Sequence, residues 1–184
     1  MIKLITHRCA GHIIELGTET LIIGTFNPDT KTNCADFFYG RRHNHLWTIL
    51  PSVFGEESLK RKTKEEKLRF IRNKRIDFID LIRAIESEPP DYKDTSLDKM
   101  QGIRWREDII AQIKKLRFLK RVCVSRKGFG GVPNIGKRVD HIAAYLQDKR
   151  IVFKCVHTPA RGLSRAKAEW AEFLRSEPTP RDRE

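Results

Sequence analysis

The feature that most limits how this chain can fold is an alternation of short apolar runs with longer stretches of helical period. Leu21 to Gly24, Ile76 to Ile82, Arg121 to Ser125 and Arg150 to Val156 are strand-like, the second carrying two carboxylates into an otherwise apolar run. Between them, Ile109, Ile110, Ile113 and Leu116, and then Val139, Ile142, Ala143 and Leu146, each place apolar side chains on one helical face. Leu163, Ala166, Trp170 and Phe173 line a last helix, with Ser164 read as its N-cap. This order predicts an α/β fold: a single-domain three-layer α/β/α sandwich around a central, mostly parallel four-stranded sheet with right-handed crossovers.

Other segments are less regular. His12 to Leu16 reads as a short β-prone run ahead of the first core strand, from which Gly17 to Thr20 separate it. Leu46 to Leu50 begins a helix that Pro51 is expected to interrupt, and Ser58 to Arg75 reads as a charged, solvated helix. Pro89 to Tyr92 marks a loop. With no repeat or internal boundary, residues 1–176 are expected to form the domain and 177–184 a frayed, disordered tail.

Composition narrows the partner. The 184 residues are 39% hydrophobic, enough for a sizeable core, while Lys and Arg number 37 against 24 acids, a formal charge of +13. Such an excess favours a polyanion, because phosphate contacts release counterions and dominate the affinity of nucleic-acid binders. There is neither a signal-peptide pattern nor an apolar run long enough to cross a bilayer, so the reading is a cytoplasmic monomer with no membrane partner. Cys9, Cys34, Cys123 and Cys155 lack the paired spacing of a zinc or iron-sulfur site and read as free thiols.

Ligands of parallel α/β folds bind beyond the carboxyl ends of the strands, so the loops after Ile23, Val124 and Val156 should converge on one crevice. The first loop runs from Gly24-Thr25-Phe26-Asn27-Pro28-Asp29 to Phe37-Phe38-Tyr39-Gly40-Arg41-Arg42-His43-Asn44-His45-Leu46-Trp47. Its aromatics suit an ordinary core turn, and equally a face for base stacking, with the Asn44 amide for a base edge. The His157-Thr158-Pro159-Ala160 loop puts an imidazole at a strand end beside Arg161. The third loop, Gly128 to Arg138, matches the G-x-x-x-x-G-K phosphate-cradling pattern but has Arg138 where Mg²⁺ coordination calls for Ser or Thr. A Gly-rich loop approaching a DNA phosphate is the preferred reading, with Mg²⁺-dependent nucleotide hydrolysis through Lys137 the alternative.

Two of these loops carry a resemblance. I-I-G-T-F-N-P followed by F-F-Y-G-R-R-H-N-H-L-W resembles the first signature of the uracil-DNA glycosylase superfamily, nearest its mismatch-specific and hypoxanthine branches. H-T-P-A with Leu163-Ser164 resembles the second signature, H-P-S-P-L-S. The turn before Pro28 is one residue longer than the family's, and Arg161-Gly162 is inserted before Leu163.

The resemblance implies a monofunctional DNA glycosylase acting on DNA that contains a damaged or mismatched base, uracil or hypoxanthine, with no cofactor and no metal. Asn27 corresponds to the water-positioning residue, with Asp29 the competitor because of the longer turn. Phe38, then Tyr39, would stack on the base with Phe26 beside them, and Asn44 would read its edge or support catalysis. His157 would donate a hydrogen bond to the leaving base, and Leu163 or Arg161 would fill the gap in the duplex. Arg41, Arg42, Lys127, Lys137, Arg138, Ser164 and Arg165 are the further DNA contacts expected. A non-catalytic nucleic-acid binder on the same scaffold is the alternative.

Overall fold

The computed structural model describes residues 4–86, 89, 91–160 and 163–178, with the side chain of Leu163 excepted. The expected roles of Arg161 and the Leu163 side chain, and the tail from residue 179, fall outside these residues. In chain order the elements are β1 (Ile5–Thr6), β2 (Thr20–Gly24), α1 (Leu46–Val53), α2 (Lys64–Lys74), β3 (Ile76–Asp80), β4 (Ile82–Ile85), α3 (Asp94–Leu97), β5 (Ile103–Trp105), α4 (Ile109–Lys115), β6 (Arg121–Val124), α5 (Pro133–Leu146), β7 (Val152–Cys155) and α6 (Leu163–Arg175).

The main sheet has four parallel strands in the order β3-β2-β6-β7. Side chains alternate across it, which defines the layers. Ile22, Phe78 and Cys123 share one face with α1, α2 and α6, through Trp47, Phe70, Trp170 and Phe173. Leu21, Ile23, Val122 and Val124 share the other with α4 and α5, through Ile113, Ile135, Val139 and Ile142. The α/β architecture read from the sequence is therefore present, with both faces of a parallel sheet covered.

The structure adds a three-stranded antiparallel sheet, β1-β4-β5, whose cluster includes Ile5, Phe26, Ile82, Ile85 and Leu97. Strands of two to four residues are too short to show a period, so the sequence gives them little signature.

Three local expectations change. Residues 12–16 form no strand: Ile13 is 83% exposed, and the segment is held to β3 through Asp77, which accepts from His12 Nε2 at 2.5 Å and Glu15 N at 2.9 Å. That contact covers an otherwise open edge and satisfies a fully buried carboxylate. Pro51 does not interrupt α1 but sits inside it. The Trp47 carbonyl, left without the Pro51 N–H, accepts from Leu59 N at 2.7 Å instead. Ser164 lies within the first turn of α6 rather than at its N-cap, since the helix begins at Leu163.

Candidate active site at the carboxyl ends of the strands

The three loops expected to converge are tied to one another. Tyr39 Oη and Ser125 Oγ are 2.8 Å apart, joining the loops after β2 and β6. His45 N donates to the Pro159 carbonyl at 3.0 Å, joining those after β2 and β7. Lys127, past β6, pairs with Glu169 of α6, whose carboxylate also accepts from His157 N at 2.8 Å.

In the first loop most of the aromatics serve the core. Phe38 is 3% exposed, stacked on Phe78 at 5.5 Å and 21°, with Phe37 edge-on at 5.1 Å. Its carbonyl accepts from Trp47 Nε1 at 2.7 Å. The expectation that Phe38 offers a free face to a base is thus corrected: the loop lies over the Phe78 side of the sheet, and apolar burial there claims the ring. Phe38 does line, with Cys9, His12 and Phe78, a cavity of about 110 Å³. Phe26, 9% exposed, packs toward the small sheet, edge-on to His7 at 5.9 Å.

Asn27 is 6% exposed and its amide is already engaged. Oδ1 accepts from Asn33 Nδ2 at 2.7 Å, and Nδ2 points to the Phe37 carbonyl at 3.5 Å. Asn27 thus braces the turn, and Asp29 stands exposed at its edge, 3.1 Å from Arg8. Asn44 accepts from Leu46 N at 2.9 Å, supporting the start of α1, whose N-cap His45 makes no side-chain cap bond. Tyr39 has φ of 54°, a left-handed conformation costly for a bulky residue and one that turns its hydroxyl toward Ser125. Burial, with Asp80 nearby, pushes the Tyr39 phenol well up.

The sequence reading missed the residue at the centre of this loop cluster. Asp80 ends β3, is 5% exposed, and holds His7 Nε2 at 2.7 Å through Oδ2. Cys9 N donates to His7 Nδ1 at 3.0 Å, so that nitrogen is unprotonated and the ring proton sits on Nε2, directed at Asp80. Oδ1 of Asp80 lies beside Gly24: a Cβ there would come within 2.3 Å of it and 2.8 Å of Tyr39 Oη. Gly24 is required by this close approach. The available signal was the pair of acids in the run Ile76 to Ile82; nothing local pointed to His7.

Arg41 and Arg42 are exposed. Lost solvation lowers the Arg41 guanidinium from its ordinary value, opposed first by the charge of Asp80 and then by Tyr92, Cys34 and Asp94.

At the β7 end, His157 Nδ1 is 2.5 Å from Glu169 Oε2, and Trp170 Nε1 donates to the His157 carbonyl at 3.0 Å. Burial acts to raise the Glu169 carboxyl, but hydrogen bonds from Lys127 and from the main chain and ring of His157 outweigh it and hold it at about 2. Neighbouring strands lie about 4.8 Å apart, so the ends of β3 and β7 are separated by roughly 14 Å.

The start of the helix behind the Gly-rich third loop is already occupied. Helix α5 starts at Pro133, inside the G-x-x-x-x-G-K pattern, leaving Gly136 and Lys137 in the helix body. Its first N–H groups are occupied: Asp98, 2% exposed, accepts from Ile135 N at 2.6 Å and Asn134 N at 3.2 Å. The chain carries its own anion at the start of α5, where a nucleotide phosphate would bind, which speaks against the nucleotide reading. Arg138 pairs with Glu107 at 2.7 Å and lies 5.1 Å over Trp105, while Lys137, Lys127, Ser164 and Arg165 are exposed.

Among the described residues no group of three or more His, Cys, Asp or Glu is placed to hold a metal, and no helix is long and apolar enough to cross a membrane. No protein-family model matches the chain, and no curated protein does. A solved structure matches in fold: the solution NMR structure of a "putative Uracil DNA glycosylase" from Methanosarcina acetivorans. The match covers 88% of this chain and 92% of that one, with a TM-score of 0.58 and 20% identity.

Proposed function

We propose that this protein is a monofunctional DNA glycosylase that hydrolyses the N-glycosidic bond of a deaminated or mismatched base, uracil or hypoxanthine, and leaves an abasic site. The observation that carries this reading is the joining of both signature-bearing loops at the carboxyl ends of one parallel sheet through His45–Pro159, with Tyr39–Ser125 tying the first to the loop between them, on a chain of charge +13. A matching overall fold supports it.

Cleaving the bond puts positive charge on the sugar and negative charge on the departing base, and fixed charges help by meeting each. In this reading the Asp80 carboxylate steadies the sugar, while the Tyr39–Ser125 hydroxyls and Arg41 face the base. Asn44 keeps its Nδ2 for a base edge, and Arg42, Lys127 and Arg165 meet phosphates. Extracting the base from the stack costs a few kcal/mol, offset by these contacts.

The test is incubation of the purified chain with duplexes containing uracil, hypoxanthine, xanthine or a thymine mismatch, followed by alkali. Strand breakage with at least one is expected; none at low or moderate salt overturns the reading.

The engaged amide of Asn27 and the covered faces of Phe38 favour a second reading, a nucleic-acid binder without chemistry. Replacing Asn27 and His157 by Ala separates the two. A binder keeps its salt-dependent affinity and cleaves nothing before or after, whereas a glycosylase loses turnover.

A further inference from the structure

We infer that His157 acts as a proton acceptor for the attacking water, held in that role by Glu169, a positioning residue on α6. The chemistry rests on the glycosylase reading; the state of the imidazole does not.

Glu169 receives three donors. One carboxylate takes His157 N at 2.8 Å, His157 Nδ1 at 2.5 Å and the Lys127 ammonium. Held at about 2, it is ionised throughout the working range and has no proton to give. The Nδ1 contact therefore requires the ring proton on Nδ1, and in the neutral imidazole Nε2 is left with the lone pair. Among the described residues no hydrogen bond reaches Nε2, and the side chain is 28% exposed. The bond from Trp170 Nε1 to the His157 carbonyl fixes the main chain on the other side.

His7 has the opposite arrangement. There the imidazole supports a buried carboxylate; here the carboxylate is the support and the half-buried imidazole is presented. Asn27, expected to position water, has its amide engaged with Asn33 and Phe37.

In the proposed step, water oxygen bonds to the sugar C1′ as one of its protons passes to Nε2. The C–N bond breaks and its electron pair leaves with the base, which then takes a proton from the imidazolium or from solvent. A neutral His157 with its proton on Nδ1 cannot donate to the base, so the donor role implied by the family resemblance gives way to an acceptor role. Other charged groups around the imidazole are Lys154 and Glu172, paired at 2.6 Å across β7 and α6, and His45 with Lys60 beyond Pro159. On the α5 side, Asp140 acts on Cys155.

The experiment is side-chain ¹⁵N NMR of the full chain, with the His157 signals assigned through His157→Gln. The neutral wild-type ring should show a protonated Nδ1 and a bare Nε2, and Glu169→Ala should move the proton largely to Nε2. A wild-type ring protonated at Nε2 overturns the inference whatever the activity. Glu169→Ala should lower kcat about tenfold or more at little change in KM, with partial recovery in Glu169→Asp. Full turnover in His157→Gln also overturns it. If no duplex is cleaved, the glycosylase reading falls while the NMR result still decides the state of His157.

Discussion

Asp80 Oδ2 lies 2.7 Å from His7 Nε2, and the bond joins the end of a core strand to a segment 73 residues earlier in the chain. The imidazole fills one oxygen and leaves the carboxylate charged, so replacing the charge while keeping the shape isolates its role. Asp80→Asn should fold normally, bind duplex with little change, and cleave it about 100-fold more slowly. Parallel binding and single-turnover measurements check this; equal turnover in the variant would remove Asp80 from the chemistry.

Gly24 makes the same point from the backbone. A Cβ there would stand 2.3 Å from Asp80 Oδ1 and 2.8 Å from Tyr39 Oη. Substituting Ala within a strand normally helps slightly by restricting the unfolded chain, so the sign is informative. Gly24→Ala should destabilise by about 1–3 kcal/mol, read from denaturant unfolding. A neutral or stabilising result would mean that Asp80 yields freely.

Glu169 gives the protein a pH-dependent contribution of known sign. Its carboxyl sits below its ordinary 4.5, at about 2, so the folded state binds fewer protons than the unfolded state across that interval. Its contribution is fully present above about 4.5 and is lost as pH falls toward 2, on the order of 1–2 kcal/mol after solvent screening. The stability gap between wild type and Glu169→Ala should therefore close on acidification through that window, as urea titrations at a series of pH values would show.

At the start of α5, removing the Asp98 carboxylate strands two main-chain N–H groups. Asp98→Ala should cost about 1–3 kcal/mol. Because the wild-type helix end is occupied, Mg²⁺-ATP should leave the melting temperature unchanged, and Lys137→Ala should not alter that. A thermal shift with nucleotide that vanishes in Lys137→Ala would restore the phosphate-cradling reading.

The sequence carried the core strands and helices α4 to α6 because their apolar periods run unbroken. It also placed three loops together, since strand polarity alone dictates where they end. What it hid depends on contacts between distant segments. Phe37, Phe38 and Tyr39 look the same to local pattern whether they face a ligand or Phe78, and the loop's path across the sheet decides. Asp77 and Asp80 mark β3 as unusual, but their partners His12 and His7 are 65 and 73 residues away in sequence, and no local pattern links them. The engaged amide of Asn27 is likewise set by Asn33, whose folding-back no propensity describes.

The residues ahead of β2 look like a dispensable extension. Yet His7 steadies Asp80, Arg8 holds the Thr30 and Ala35 carbonyls at 2.8 and 3.2 Å, and Ile5–Thr6 completes the small sheet. A protein trimmed to begin at its first core strand would uncover the β3 edge, leave the buried Asp77 carboxylate without its His12 and Glu15 donors, and lose the clasp on Asp80. One arm thus supports the sheet edge and the candidate site together, so a cut near residue 17 would weaken both.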